Sequence, residues 1–292
     1  VSVGVAPGPT AGEILAEAVA RLAASGVPEP RADAEVLLAH ALGTTRAGVI
    51  AGARRPLAPA AASSFAAMLA RRAAREPVQH VVGVQEFWSL PIAVDRRVLV
   101  PRPETELVVE TALRLVPSAR RVLDVGTGSG AVAAALAREL PSACVVASDR
   151  AADALDAAGA NLARLAPGVA RVRASLAHGF RAGAFDLVVA NLPYCRTGEL
   201  ARLAPEVRDW EPRTALDGGP DGLDVIRALV ATAPDALAAG GWLVLEVGIG
   251  QAAAVAAAAA ARGWARIEVF RDAAGIDRVV AAEGRRDAWM RS

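Results

Sequence analysis

Lysine is missing from this chain, and all 32 basic residues are arginine. Alongside abundant alanine and glycine, this reads as a bias of coding composition rather than as chemistry. A net charge of +1 gives no strong electrostatic footprint for nucleic acid, so no direct nucleic-acid partner is expected. Arg71, Arg72 and Arg75 form the densest basic spot of the first hundred residues and read as a solvated helix face. Cysteine is nearly absent too. Cys144, inside an expected strand, and Cys195 supply no disulfide framework, and a reducing cytoplasm is expected. The three histidines, His40, His80 and His178, are scattered and give no metal-ligand spacing, so no metal is expected. No Ser/His/Asp arrangement is legible. The longest apolar stretches are alanine-rich and broken by Arg, Gly or Pro, and even 251–261 falls short of the roughly twenty strongly apolar residues that a membrane span needs. The first residues lack a charged segment followed by an apolar one, so no secretion signal is expected.

What is present is a hydrophobic fraction of 54% in 292 residues, enough to bury a large core. Thr10-Ala11-Gly12-Glu13 has the spacing of a capping box, and Ile14, Leu15, Ala18, Val19 and Leu22 follow at helical period. A second helix fits 30–42 and stops at Gly43. A third fits 59–74 and buries Phe65, Met68 and Leu69. These elements predict a small helical domain over 1–80. Alternation over 81–100, with Pro91 at an edge or turn, predicts a hairpin linker. From 101 to 292, strands alternate with helices, which predicts a mostly parallel α/β sheet covered on both faces. Apolar runs at 122–125, 144–148, 187–190 and 242–247 supply buried strands, and 266–270 with 278–281 a terminal antiparallel pair. The long Pro- and Gly-rich stretch 194–223 reads as a substrate-facing cover.

Two motifs in the α/β part carry chemistry. At 121–130 an apolar strand runs into Asp124, Gly126, Thr127, Gly128, Ser129 and Gly130, then into an alanine-rich helix, as in Rossmann-like methyltransferases. The glycines let backbone approach a ligand, and the helix N-terminus offers N–H groups to a carboxylate such as that of a methionine moiety. A dinucleotide fingerprint would place its third glycine one residue later, where this chain has Ala131. Asp149 ends the next strand and suits two ribose hydroxyls; the plain alternative is a solvated turn acid.

The second motif, Asn191-Leu192-Pro193-Tyr194, ends the apolar run 185–190. It looks like the tetrapeptide with which enzymes methylate a planar nitrogen conjugated to a carbonyl or an aromatic ring. Such a nitrogen is a poor nucleophile. The Asn191 side-chain oxygen and the Leu192 carbonyl can accept its two N–H groups as the methyl arrives. Pro193 restricts the backbone that holds that carbonyl, and Tyr194 offers a ring face to a flat group. The plain alternative is a strand followed by an Asn/Pro turn.

Further strings extend the likeness: Gln85-Glu86-Phe87-Trp88-Ser89-Leu90-Pro91, Val100-Pro101-Arg102-Pro103-Glu104-Thr105-Glu106, Glu211-Pro212-Arg213, Ala215-Leu216-Asp217-Gly218-Gly219 and Asp221-Gly222-Leu223. With Arg31-Ala32-Asp33-Ala34-Glu35 and Glu76-Pro77, the chain resembles the HemK/PrmC family over almost its full length. Those enzymes methylate the glutamine side-chain amide of peptide chain release factors. The resemblance implies a seven-stranded class I methyltransferase sheet, S-adenosylmethionine as methyl donor and the Gly-Gly-Gln loop of a release factor as substrate; a monomer is expected. It assigns the methionine part to Gly126–Gly130, the ribose to Asp149, the glutamine amide to Asn191–Tyr194, and substrate docking to the helical domain. The chain departs from the family pattern in having Leu192 where Pro is usual. Leu176 and Ala177 stand where the family shows an acid and an aromatic near the adenine. Asn-Leu-Pro-Tyr also occurs in ribosomal RNA adenine dimethyltransferases, which leaves a nucleic-acid methyltransferase, or an inactive cofactor-binding protein, as alternatives.

Overall fold

The computed structural model describes residues 8–285. The chain forms two compact units, one running to Gly83 and including Ala204–Trp210, the other made of Val84–Leu203 and the residues from Glu211 onward.

The first unit is helical, with α1 (Ala11–Ala24), α2 (Pro30–Leu42), α3 (Arg46–Ala51), α4 (Pro59–Ala73), α5 (Val78–Val82) and a helical turn at Pro205–Arg208. The capping box is formed: Thr10 Oγ1 accepts from the Glu13 backbone at 3.3 Å, and Glu13 Oε2 accepts from the Thr10 backbone at 2.8 Å. Pro30 opens α2, whose orphan N–H groups need no donor from it, and Gly43 closes it in the left-handed conformation at φ 60°. Leu22, Leu37, Leu38, Phe65, Met68 and Leu69 are buried together.

The basic spot at the end of α4 is solvated only in part: Arg71 is exposed, Arg75 half-buried and Arg72 buried. Arg72 is buried, donating from Nε to Asp33 Oδ2 at 2.7 Å and from Nη2 to Glu206 Oε1 at 2.8 Å. Arg75 reaches both oxygens of Glu206, at 2.7 Å each, and Arg71 pairs with Glu76 at 2.6 Å. The forked guanidinium satisfies two carboxylates at once, which is what makes burial of Arg72 tolerable. The Arg31–Glu35 string takes part in this pairing through Asp33, while Glu35 is buried between Arg31 and Arg46.

The second unit opens with an antiparallel hairpin, β1 (Val84–Phe87) and β2 (Leu90–Ala93). Trp88 and Ser89, at φ 52° and 54°, form its two-residue turn, in the sense that suits strand twist. The hairpin is held to this unit through Asn161, whose side chain exchanges two hydrogen bonds of 2.8 Å with the Ala93 backbone. Pro91 lies on the exposed edge. Behind it come α6 (Glu106–Leu115), β3 (Arg121–Val125), α7 (Ala131–Glu139), β4 (Cys144–Asp149), α8 (Ala152–Leu165), β5 (Ala170–Arg173), β6 (Phe185–Ala190), α9 (Asp224–Ala236), β7 (Leu237–Glu246), α10 (Ala252–Ala261), β8 (Arg266–Arg271) and β9 (Asp277–Glu283). The seven strands lie in the order β5-β4-β3-β6-β7-β9-β8, parallel except for the β7–β9 and β8–β9 pairs.

Alternate residues explain the near-continuous apolar strands. Val122, Val145, Leu187 and Val189 pack toward α6, α7 and α8, whereas Leu123, Val125, Val188 and Leu243 pack toward α9 and α10. Between β3 and β6 the strand order reverses, and a crevice opens beyond the carboxyl ends of the strands there. The glycine turn leaves β3, Asp149 ends β4, and the tetrapeptide leaves β6, so all three meet at that crevice. Among the described residues, no helix is long and apolar enough to cross a membrane.

Candidate active site

Buried groups beneath the glycine turn fix its course. Gly126 and Thr127 both donate their N–H to the Ser148 carbonyl at 2.9 Å. Asp124, at the bottom, accepts from Thr127 Oγ1 at 2.7 Å and from the Ala133 backbone at 3.2 Å. Burial lifts its carboxyl to about 7, against the pull of those hydrogen bonds. Asp149 accepts from Gly128 N–H at 3.1 Å and from Ala151 N–H at 2.9 Å, one bond per carboxylate oxygen. Gly126 has to be glycine for two reasons: its φ is +72°, and a β-carbon would stand 2.9 Å from Leu192 Cδ2. The two motifs are thereby in direct contact.

A cavity of about 360 Å³ opens between them. Its walls include Gly126, Gly128, Asp149, Leu176, Asn191 and Leu192. Asp124, Thr127, Ser129 and Pro193 also reach it. Three residues expected at the site are not part of the cavity lining. Gly130 faces α8, where a β-carbon would come within 3.2 Å of Leu162 and 3.3 Å of Ala158, so it serves helix packing. Ala177 is buried in the apolar cluster with Phe185, because Leu176 adopts a left-handed φ of 53° and turns the chain inward after it. Tyr194, partly buried, packs against the same cluster and is not among the residues that line the cavity. Burial, and then the nearby Glu246 carboxyl, raise the pKa of its hydroxyl.

Asn191 and Leu192 do line the cavity. Asn191 Nδ2 donates to Thr105 Oγ1 at 2.9 Å, and Thr105 Oγ1 donates to Glu246 Oε2 at 2.6 Å. Among the described residues, neither Asn191 Oδ1 nor the Leu192 carbonyl accepts a hydrogen bond. Both acceptors are uncommitted on residues that line the cavity.

The stretch 194–223 reaches the cavity through Pro212, Thr214 and Ala215 and also packs behind the tetrapeptide. The Tyr194 carbonyl accepts from Gln251 Nε2 at 2.9 Å, Cys195 N–H donates to Leu216 at 2.9 Å, and Gly218 N–H donates to Cys195 at 2.8 Å. A β-carbon at Gly222 would collide with the Tyr194 carbonyl, which accounts for a glycine in the Asp221-Gly222-Leu223 string. Glu211 accepts from Val100 N–H at 3.1 Å and from Arg102 at 2.6 Å, tying the Pro-bounded loop to the same backing. Thr105, Glu246 and Gln251 were not singled out by sequence. For Glu246 a signal existed: an acid inside the apolar run 242–247 has to be buried, and buried acids need partners.

Known proteins share both the sequence and the architecture around this cavity. The family described as PrmC N-terminal domain matches residues 13–83, and the methyltransferase small domain matches residues 103–204. A release factor glutamine methyltransferase of Geobacter sulfurreducens is 45% identical over 259 residues, spanning 89% of this chain and 91% of the relative. One from Moorella thermoacetica is 46% identical over 280 residues, spanning 94% and 99%. Among solved structures, the hMettl16 catalytic domain bound to a MAT2A 3′UTR hairpin superimposes with a TM-score of 0.55 at 16% identity, covering 74% of this chain and 81% of that one. A Pyrococcus furiosus methyltransferase gives 0.53 at 20% identity, covering 67% and 89%. At such identities these structures speak to the fold alone.

Proposed function

The chain belongs to the release factor glutamine methyltransferase family, and on that premise we propose that it transfers a methyl group from S-adenosylmethionine to the side-chain amide nitrogen of the Gly-Gly-Gln glutamine in a peptide chain release factor. The observation that carries this reading is the pair of uncommitted acceptors, Asn191 Oδ1 and the Leu192 carbonyl, at the wall of a cavity that begins at the glycine turn. A primary amide presents two N–H donors, and two fixed acceptors match them. As the nitrogen lone pair is drawn out of conjugation, its N–H groups become more acidic, and both hydrogen bonds strengthen toward the transition state.

The residues around the cavity fit S-adenosylmethionine. A carboxylate has about four acceptor sites, and Asp149 commits two of them to Gly128 and Ala151. The others suit a ribose diol. Gly126 and Gly128 bring bare backbone to the cavity, and the N-terminus of α7 favours a carboxylate nearby. Leu176, in place of an acid, would offer the adenine an apolar contact. When bound, this cofactor supplies a sulfonium methyl whose bonding electrons leave on sulfur. Asn191 and Leu192 then have to hold the nitrogen in line, roughly 3–3.5 Å from the methyl carbon.

Docking of the protein substrate is assigned to the first unit, which the PrmC N-terminal domain matches. The reading includes a monomer acting in the cytoplasm on protein alone. The net charge of +1 and the two free cysteines are in keeping with it. The test is incubation of the purified chain with methyl-labelled S-adenosylmethionine and either a full-length release factor or structured RNA. Label on the Gly-Gly-Gln glutamine, placed by mass spectrometry, is the expected result; label on RNA adenine instead would overturn it.

A further inference from the structure

The side chain of Asn191 has two ends of opposite polarity and nearly equal shape, and the function proposed above, on which this inference rests, needs the oxygen end at the substrate. Nothing in the local sequence selects that end. Selection comes from two residues distant in sequence. Glu246 ends β7 at the level of the tetrapeptide, because Ala190 pairs with Leu245. It is 1% exposed, and its Oε2 lies 2.6 Å from Thr105 Oγ1, which in turn lies 2.9 Å from Asn191 Nδ2. Thr105 is also buried, so water cannot readily stand in for either partner.

The direction of this chain of hydrogen bonds follows from its members. An ionised carboxylate only accepts, whereas a hydroxyl has a single proton to give. With that proton committed to Glu246, Thr105 can only accept from Asn191. The NH₂ end of Asn191 is thereby required at Thr105, and the oxygen end is turned toward the cavity. The reverse orientation would set two acceptors face to face in a buried place, which is costly. We propose that Thr105 and Glu246 are positioning residues that lock the Asn191 amide with its oxygen toward the glutamine nitrogen. Tyr194, at the other end of the tetrapeptide, favours the charged form of the same carboxyl.

Three near-isosteric variants test this. Thr105→Val removes the hydroxyl and keeps the shape. It should lower kcat roughly ten- to a hundredfold, the worth of one charge-linked hydrogen bond, while KM and calorimetric affinity for S-adenosylmethionine stay at wild-type values. Thr105→Ser should restore most of the turnover. Glu246→Gln, whose amide both donates and accepts, should fall between them. A second readout needs no substrate: the Asn191 side-chain amide protons, observed by ¹⁵N–¹H spectroscopy, should exchange slowly in the wild type and rapidly in Thr105→Val. Unchanged turnover in Thr105→Val, or an Asn191 amide that exchanges as fast in the wild type as in that variant, overturns the inference. A wild type that leaves release factors unmethylated yet shows Thr105-dependent protection would remove the proposed function and uphold the orientation.

Discussion

At the scale of single residues, the two acceptors at the cavity wall differ in what a substitution can remove. The Leu192 carbonyl belongs to the backbone and survives any side-chain change, whereas Asn191→Ala deletes its acceptor outright. That variant should lose turnover by about a hundred- to a thousandfold, as expected for one preorganised partner of a developing charge, with cofactor affinity by calorimetry near the wild-type value. Turnover should also respond to pH. Burial raises Glu246 to about 7; Thr105, Tyr194 and Arg278 favour its charged form, and Glu104 opposes it. Once protonated, Glu246 can donate to Thr105, and the polarity that orients Asn191 is no longer enforced. The expected outcome is a fall in kcat as pH drops through about 7. Asp124 titrates in the same range, and a kcat–pH profile of Glu246→Gln separates the two, because it should lack the step that Glu246 contributes. For stability the sign is the reverse of a paired carboxylate. Both groups are raised on folding, so their contribution is full below the ordinary carboxyl range and is lost as pH rises through about 7.

At the scale of elements, the helical turn at Pro205–Arg208 is small, yet it completes the first unit electrostatically. Burial works against a charged Glu206, but hydrogen bonds from Arg75 and Arg72 outweigh it and bring its carboxyl down to about 2. Its contribution is therefore present above the ordinary glutamate range and is lost as pH falls toward 2. Glu206→Gln should destabilise the first unit by roughly 1.5–3 kcal/mol at neutral pH, with the gap to wild type closing in acid; hydrogen exchange in α4 across pH measures it. Such pairings mark where sequence reading stopped. Helices such as Pro30–Leu42 were legible because Pro and Gly bracket them, and the strands because burial on both faces leaves continuous apolar runs. The partners of Arg72 were not, since Glu206 stands 134 residues away, nor was the Thr105–Glu246 bond across 141 residues. The glycine turn and the tetrapeptide were legible as motifs, but the sequence could not say that Tyr194 packs against an apolar cluster, that Gly130 packs against α8, or that Ala177 is buried with Phe185. Those depend on what each side chain meets in space.

At the scale of the whole molecule, the first unit is made of two stretches of chain, one ending at Gly83 and the other Ala204–Trp210, separated by much of the second unit. A truncated chain beginning at residue 84 would leave Glu206 without Arg72 and Arg75. It should keep its sheet and bind cofactor, while limited proteolysis should cut near 204–210 faster than in the full chain. The same division has a consequence in time. Synthesis proceeds from the N-terminus and domains tend to fold as units while it does so, but here the first unit to emerge cannot be completed until much of the second has been made. Until residue 206 leaves the ribosome, α4 waits with part of its guanidinium pairing unmet. By then the glycine turn, Asp149 and the tetrapeptide have all been made. Nascent chains arrested short of residue 204 should therefore hold the helices in a protease-sensitive state, and the seven residues Ala204–Trp210 act as a late stitch that ties completion of the first unit to synthesis of the reaction centre.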